Sequence, residues 1–275
     1  MELAMVDDCI VPLDQARISA HDRGIYFGDG VYEVLRYCAG RLFALDGHMA
    51  RLRNSLTQMD MLAKTDLNLI TERIKRAVTA AGIDDAAVYF HITRGSALRS
   101  HDYSDDWTPN FLLTVRSFHR RDGAARAITH PDWRWHRCDI KSLNFVANVM
   151  AQHTAHKKGA YEALLVDGNN LVTEATSSSV LIIKDKLMQT APLTANILPG
   201  ITRALLLEWA GSVGLATAEE SFTVSQASNA DELLITGTGS EVIAITHLDD
   251  KPIADGQPGA YTKIFRNLLY QAMYT

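Results

Sequence analysis

Trp135-His136-Arg137-Cys138-Asp139-Ile140-Lys141-Ser142-Leu143-Asn144 sets one lysine just ahead of a helix predicted over residues 143–156. A lysine amine can bond an aldehyde, provided the site keeps it neutral during attack. The plain alternative for Lys141 is a surface ion pair with its neighbour Asp139. Lys157 and Lys158 end the same helix ahead of Gly159, where a solvated C-terminal role is simpler. Further along comes Thr173-Glu174-Ala175-Thr176-Ser177-Ser178-Ser179, a lone acid opening a hydroxyl-rich turn. Beside a pyridine nitrogen, the Glu174 carboxylate would favour the protonated ring; otherwise it is a surface or capping acid. The hydroxyls either bind phosphate or satisfy the turn. Gly200-Ile201-Thr202-Arg203 offers backbone N–H groups at a helix start, where an anion is favoured, or an ordinary threonine cap. Gly237-Thr238-Gly239-Ser240 is a third polar turn, and Arg51 is a candidate positive charge on the first long helix. Lysine, distant acid and anion-compatible turns together suggest an aldehyde cofactor carrying a ring nitrogen and a phosphate.

The chain around these residues has 275 residues, 47% apolar and 21% charged, with a formal charge of -5. That length supports a large core in two domains. The charge gives no support for nucleic-acid or membrane-surface binding. Cys9, Cys38 and Cys138 form neither a metal spacing nor a disulfide framework. Cys138, close to Lys141, is either a redox residue or a small packing residue. The N-terminus lacks an apolar signal core and no run is long enough for a membrane helix, so a cytoplasmic location is the expectation.

Val31 to Tyr37 alternates like a strand, with residues 41–45 as its partner. Helices are predicted over 48–62, with Met49, Leu52, Leu56, Met59 and Leu62 on the apolar face, and over 69–81, burying Leu69, Ile74, Val78 and Ala81. Residues 87–93 and 110–115 read as strands. The segment 94–109 between them exceeds a hairpin turn and reads as functional or mobile. In the second half, 127–130, 163–166, 180–183 and 231–236 read as strands. Helices cover 143–156, with Val146, Val149 and Met150 as core contacts, and 202–211. Asp167-Gly168-Asn169-Asn170 is a turn between neighbouring strands. The mixture indicates an α+β architecture: a smaller N-terminal domain over 1–117, a charged linker over 118–123 and a larger domain over 124–275.

The joined motifs resemble the fold-type IV enzymes that use pyridoxal 5'-phosphate (PLP), within them the D-amino acid transaminase branch. The opening segment Asp22-Arg23-Gly24-Ile25-Tyr26-Phe27-Gly28-Asp29-Gly30-Val31-Tyr32-Glu33 is similar to that family's. So are Tyr89 to His101, the lysine region, Thr173-Glu174, Leu198 to Arg203 and Asp231 to Thr236, in the same order along nearly the whole chain. The resemblance implies that the larger domain binds PLP, that Lys141 bonds the cofactor and acts as catalytic base, and that Glu174 contacts the pyridine nitrogen. It implies that Arg51, Ile201, Thr202 and Thr238 hold phosphate with Ser177 nearby. It also implies that Tyr32, Arg99 and His101 trap the substrate carboxylate, that the Arg99–His101 loop reaches across a homodimer, and that the substrates are a D-amino acid and a 2-oxoacid. Arg99-Ser100-His101 favours D-amino acids, because the branched-chain enzymes do not usually carry an Arg-X-His pair.

Four positions depart from the family pattern. Ala175 stands where glycine is common, Val180 where asparagine is common, Pro199 where a lysine occurs and Gly237 where a serine occurs. They bear on substrate range, loop shape and cofactor affinity. The rival readings are an L-branched-chain aminotransferase, an aminodeoxychorismate lyase, and a noncatalytic dimeric interaction protein that keeps the pocket.

Overall fold

The computed structural model describes residues 1–121 and 123–275; Asp122, in the expected linker 118–123, lies outside the described residues. Two compact units emerge. The first comprises residues 1–119 with 140–144, and the second comprises 120–139 with 145–275.

In the first unit β1 (Leu3–Val6), β2 (Cys9–Pro12), α1 (Arg23–Phe27), β3 (Gly30–Cys38) and β4 (Arg41–Leu42) precede α2 (Leu45–Gln58) and α3 (Leu67–Ala81). Then come β5 (Ala86–Thr93) and β6 (Asn110–Ser117). The strands form one antiparallel sheet in the order β2-β1-β6-β5-β3-β4. Side chains alternate across its pleat. Val31 and Leu35 of β3 join Val88, Phe90 and Ile92 of β5 in the core under α2 and α3. The opposite phase puts Tyr32 across from His91 and Val34 across from Tyr89 on a half-buried face.

α3 begins two residues earlier than the sequence pattern predicts, because Asp66 accepts hydrogen bonds from the Asn68 and Leu69 backbone N–H groups. Gly82, at φ 59°, ends it. Its buried stripe is Ile70, Ile74, Ala77, Val78 and Ala81, whereas Leu69, expected inside, is 37% exposed. Ile74, Val78 and Ala81 are buried as expected, and Ile70 takes the place of Leu69 at the start of the stripe. α2 likewise starts ahead of His48 and stops at Gln58, so Leu62 falls in a separate short turn.

Residues 140–144 belong to the first unit for a backbone reason. β4 covers only the Tyr37–Cys38 end of β3. At the other end, the Tyr32 N–H donates to the Lys141 carbonyl at 2.9 Å and the Leu143 N–H to the Gly30 carbonyl at 3.0 Å. Val31 and Ser142 form an antiparallel bridge there. The otherwise open strand edge is thus closed by the lysine segment.

The second unit contains β7 (Ala124–Pro131), α4 (Val146–Lys157), β8 (Glu162–Val166), β9 (Leu171–Ala175), β10 (Ser179–Lys184) and β11 (Leu187–Thr190). It continues with α5 (Ile201–Ala210), β12 (Ala216–Glu219), β13 (Phe222–Thr223), α6 (Val224–Ser228), β14 (Glu232–Gly237), β15 (Glu241–Leu248), β16 (Lys251–Pro252) and α7 (Ala260–Tyr274). Its mixed sheet runs β12-β11-β10-β14-β15-β7-β8-β9-β13, with β16 on β15. The expected turn at 167–170 does join neighbouring strands, β8 and β9, with Asp167 accepting from the Asn169 and Leu171 N–H groups.

α4 overturns one sequence expectation. Val146, Val149 and Met150 are not core contacts; they are 74%, 58% and 51% exposed. The helix packs through Asn148, Ala151 and Ala155, small or hydrogen-bonded side chains that let it lie close to the sheet. Among the described residues no helix is long and apolar enough to cross a membrane.

Replacing Asp66 with alanine removes the α3 cap. We expect a loss of about 1 kcal/mol in urea unfolding with an unchanged slope.

Candidate active site

In the first unit, Lys141 is held at both ends. Its backbone N–H donates to Ser55 Oγ at 3.1 Å. Its Nζ donates to Tyr32 Oη at 3.1 Å and lies 4.2 Å from that ring's centroid. The Tyr32 ring is 5.8 Å from Tyr89, whose Oη is 3.0 Å from His91 Nδ1. Burial pushes the Tyr89 phenol up to about 12 and the His91 imidazole down, with Asp22 opposing the latter. Both groups are therefore uncharged at neutral pH, so the sheet face beside the lysine is polar but neutral. Within the second unit, Asp139 is engaged by Arg137, at 3.1 Å.

The expected carboxylate trap divides into two contacts. Tyr32 meets Lys141, while Arg99 and His101 both meet Phe27. The Arg99 guanidinium is 5.3 Å from the Phe27 ring centre, and the His101 ring is 5.6 Å away, edge-on.

Arg51 is buried and bound by Glu33, Nε to Oε1 at 2.7 Å and Nη2 to Oε2 at 2.8 Å. His48 Nδ1 donates to the same carboxylate at 2.8 Å, because an ionised carboxylate only accepts. Burial alone would raise the Glu33 pKa, but the Arg51 charge and hydrogen bonds outweigh it and hold the group at about 2. Burial lowers the His48 pKa against the pull of Glu33. Sequence reading missed Glu33 and His48. The available signal was an acid on the apolar phase of β3, between Val31 and Leu35, which requires a buried cation opposite it.

In the second unit, Glu174, next to last in β9, is almost wholly buried, and Arg134 Nη1 donates to it at 2.5 Å. Arg134 also binds Asp132, at 2.9 and 2.7 Å, and the Asn196 carbonyl, while Thr173 Oγ1 donates to Asp132 at 2.7 Å. Burial opposes ionisation of Asp132, yet Arg134 and Thr173 keep its pKa low. Arg134 and Asp132 were not singled out by sequence; an arginine two residues from an acid ordinarily reads as a surface pair. For Cys138 the packing reading is favoured over the redox one. Burial pushes its thiol up to about 12, and Sγ–H donates to the Trp135 carbonyl.

The hydroxyl-rich turn also divides. Thr176 Oγ1 is committed to Glu162 and Gln152, both at 2.5 Å, and Ser178 Oγ to Ser240 Oγ at 3.0 Å. Ser177 remains exposed. Ala175 lies in extended strand, so its lack of glycine's freedom carries no strain, and Val180 is core. Ile201 and Thr202 open α5 behind Gly200, whose position provides no capping side chain. A Cβ at Gly200 would lie 2.6 Å from Ser179 Oγ, and one at Gly237 3.1 Å from Ser240 Oγ. Thr238 follows β14, half-buried.

The amino-transferase class IV family model matches residues 30–248. The chain belongs to the class IV aminotransferases. It is 39% identical to a D-alanine aminotransferase of Bacillus licheniformis over 94% of this chain and 93% of that one. It is 36% identical to a D-alanine aminotransferase of Listeria innocua, covering 96% and 93%. Among solved structures, the Escherichia coli branched-chain amino acid aminotransferase superposes with a TM-score of 0.91 at 18% identity, covering 98% and 94%. The branched-chain enzyme of Thermobaculum terrenum in its PLP form gives 0.86 at 24%, covering 99% and 94%. At those identities the likeness concerns the fold, which is the fold-type IV, α+β architecture.

Enzymes of this family use PLP, and the residues present fit it chemically. An aldehyde requires an amine, and Lys141 carries one against a neutral phenol. A ring nitrogen requires an acceptor, and Glu174 is a fixed, buried carboxylate. A phosphate requires N–H donors at close approach, and the start of α5 has them behind Gly200, where a Cβ would crowd Ser179 Oγ at 2.6 Å.

The buried Glu33 centre gives a pH prediction. Its folded pKa lies near 2, below its ordinary 4.5, so its stabilisation is fully present above 4.5 and is lost as pH falls towards 2. Glu33→Gln leaves Arg51 buried without its counter-charge. We expect a loss of about 3–5 kcal/mol at pH 7 and a shallower acid limb in stability measured against pH.

Proposed function

We propose that this chain is a D-amino acid transaminase that moves the amino group of D-alanine to 2-oxoglutarate, giving pyruvate and D-glutamate, with other D-amino acids accepted. The observation that carries the reading is its 39% identity, along nearly its whole length, to a D-alanine aminotransferase. The common approach of Arg99 and His101 to one ring supports it.

PLP, when bound, supplies a carbonyl that captures the substrate amine and a ring that accepts the charge left by Cα deprotonation. Lys141 would hold the cofactor through Nζ and, once its amine is free, would take the substrate Cα proton and later hand it back, base first and acid second. The Tyr32 phenol accepts from that amine and keeps it on the sheet face. Glu174, oriented by Arg134, would serve the ring nitrogen. The Ile201 and Thr202 N–H groups with Thr238 and Ser177 hold phosphate. Arg51 contributes there as part of a charge-compensated centre, since Glu33 already takes two of its nitrogens. Arg99 grips the substrate carboxylate with two directed hydrogen bonds while His101 and Tyr32 orient the remaining oxygen.

The protein acts in the cytoplasm as a homodimer. The exposed apolar face of α4, with Val146, Val149 and Met150, supports a second copy as its cover. Val149→Asp is expected to shift the protein towards monomer in light scattering; an unchanged dimer would remove α4 from the interface.

The activity test supplies 2-oxoglutarate with D-alanine or L-leucine and reads product chirality. The reading predicts D-glutamate from D-alanine and no comparable turnover of L-leucine. L-Glutamate formed from L-leucine would contradict it. Lys141→Ala is expected to lower kcat by about 10³-fold or more while the fold is retained.

A further inference from the structure

We infer that Arg23 and Phe27 are the positioning residues of the carboxylate trap, fixing Arg99 and His101 before substrate arrives. The inference rests on the proposed reading of Arg99 and His101.

The segment from Arg94 to Pro109 is long enough to be mobile, yet it is tied down along its length. At its base, Gly95 has φ 87°, and a Cβ there would lie 1.9 Å from the Thr108 carbonyl oxygen. Only glycine lets the two ends of the loop close so tightly. In its middle, the buried Arg23 guanidinium gathers three consecutive carbonyls. Nη1 donates to Ser100 at 2.8 Å and to Asp102 at 3.2 Å, and Nη2 donates to His101 at 3.4 Å. Its Nε donates to Asp29 at 2.8 Å. Asp29 also accepts from Arg94, at 3.0 and 3.1 Å, and Arg94 reaches the Met59 carbonyl at 2.6 Å. One carboxylate therefore anchors both arginines that hold the loop.

With its backbone fixed, the loop projects Arg99 and His101 onto one ring. Phe27 ends α1, one helical turn after Arg23. Its ring is 4.9 Å from the Arg23 guanidinium carbon, 5.3 Å from that of Arg99 and 5.6 Å from the His101 ring. The negative face of an aromatic ring attracts a guanidinium without using its N–H donors. Phe27 can therefore orient Arg99 and leave its hydrogen-bonding fork for a carboxylate. Arg23 is buried and spends four of its five N–H donors on the Asp29 carboxylate and the three loop carbonyls, so its role is to shape the trap. Holding both side chains in place beforehand reduces the entropy cost of gripping the carboxylate.

The test uses the PLP-loaded enzyme and three variants: Arg23→Lys, Phe27→Leu and Arg99→Ala. Lysine retains the charge of Arg23 but cannot span three carbonyls. Leucine retains the apolar volume of Phe27 but has no ring. We expect each positioning variant to raise KM for D-alanine by about three- to tenfold, with kcat within about twofold and the cofactor absorbance unchanged. Trypsin cleavage after Arg99 should accelerate by about tenfold in Arg23→Lys, reporting the released loop without reference to activity. If Arg99→Ala raises KM while Arg23→Lys and Phe27→Leu leave both KM and cleavage at wild-type values, the positioning role is wrong and the trap stands. If Arg99→Ala leaves KM unchanged, the carboxylate reading beneath the inference fails. Should Arg23→Lys not fold, Phe27→Leu decides through the KM-against-kcat split.

Discussion

The short antiparallel pairing of residues 141–143 with the beginning of β3 is the constraint on which the proposed chemistry depends. A strand edge with unmet backbone groups is available at Gly30–Tyr32, and the lysine segment fills it. The register is set by the backbone, and the Lys141 side chain emerges beside Tyr32. A phenol is a suitable neighbour. It accepts from the amine without adding the full negative charge that would stabilise the protonated form. The surrounding groups, Tyr89 and His91, are kept uncharged by burial, which preserves that neutrality.

Three buried centres share one composition. Glu33 with Arg51 and His48, Asp29 with Arg23 and Arg94, and Asp132 with Arg134 and Glu174 each tie ionised groups from separate chain segments. Removing such charges from water is expensive, and their mutual attraction roughly offsets it. Their role is therefore geometric: each fixes a group required by the proposed reaction. The first holds Arg51, the second the loop bearing Arg99 and His101, and the third Glu174. In the third, Arg134 bridges the carboxylates of Asp132 and Glu174.

Much of this was legible in the sequence where local chemistry dominates. The alternation of β3 and β5, the glycine stop of α3 and the turn at 167–170 all follow from side-chain period and backbone permissiveness. Lys141, Glu174 and the start of α5 each have a bland use alone and could be selected because they occur together, in the order of a known family. What stayed illegible depends on partners distant in the chain. Arg134 was not singled out, because only the fold brings Glu174 of β9 to it. Thr176 looked like an anion ligand until Glu162 claimed its hydroxyl. Val146, Val149 and Met150 have the residue types of a core stripe, and periodicity cannot reveal that α4 packs through Asn148, Ala151 and Ala155. The loop at 94–109 was read as functional or mobile because of its length, and the arginines that fix it lie outside it or at its edge.

The most direct test is chemical mapping of the lysine. The purified protein is loaded with PLP, reduced with borohydride and digested, and the modified peptide is identified by mass. The account predicts the phosphopyridoxyl mass on the peptide containing Lys141. The same mass on another lysine, with Lys141 unmodified, would contradict it.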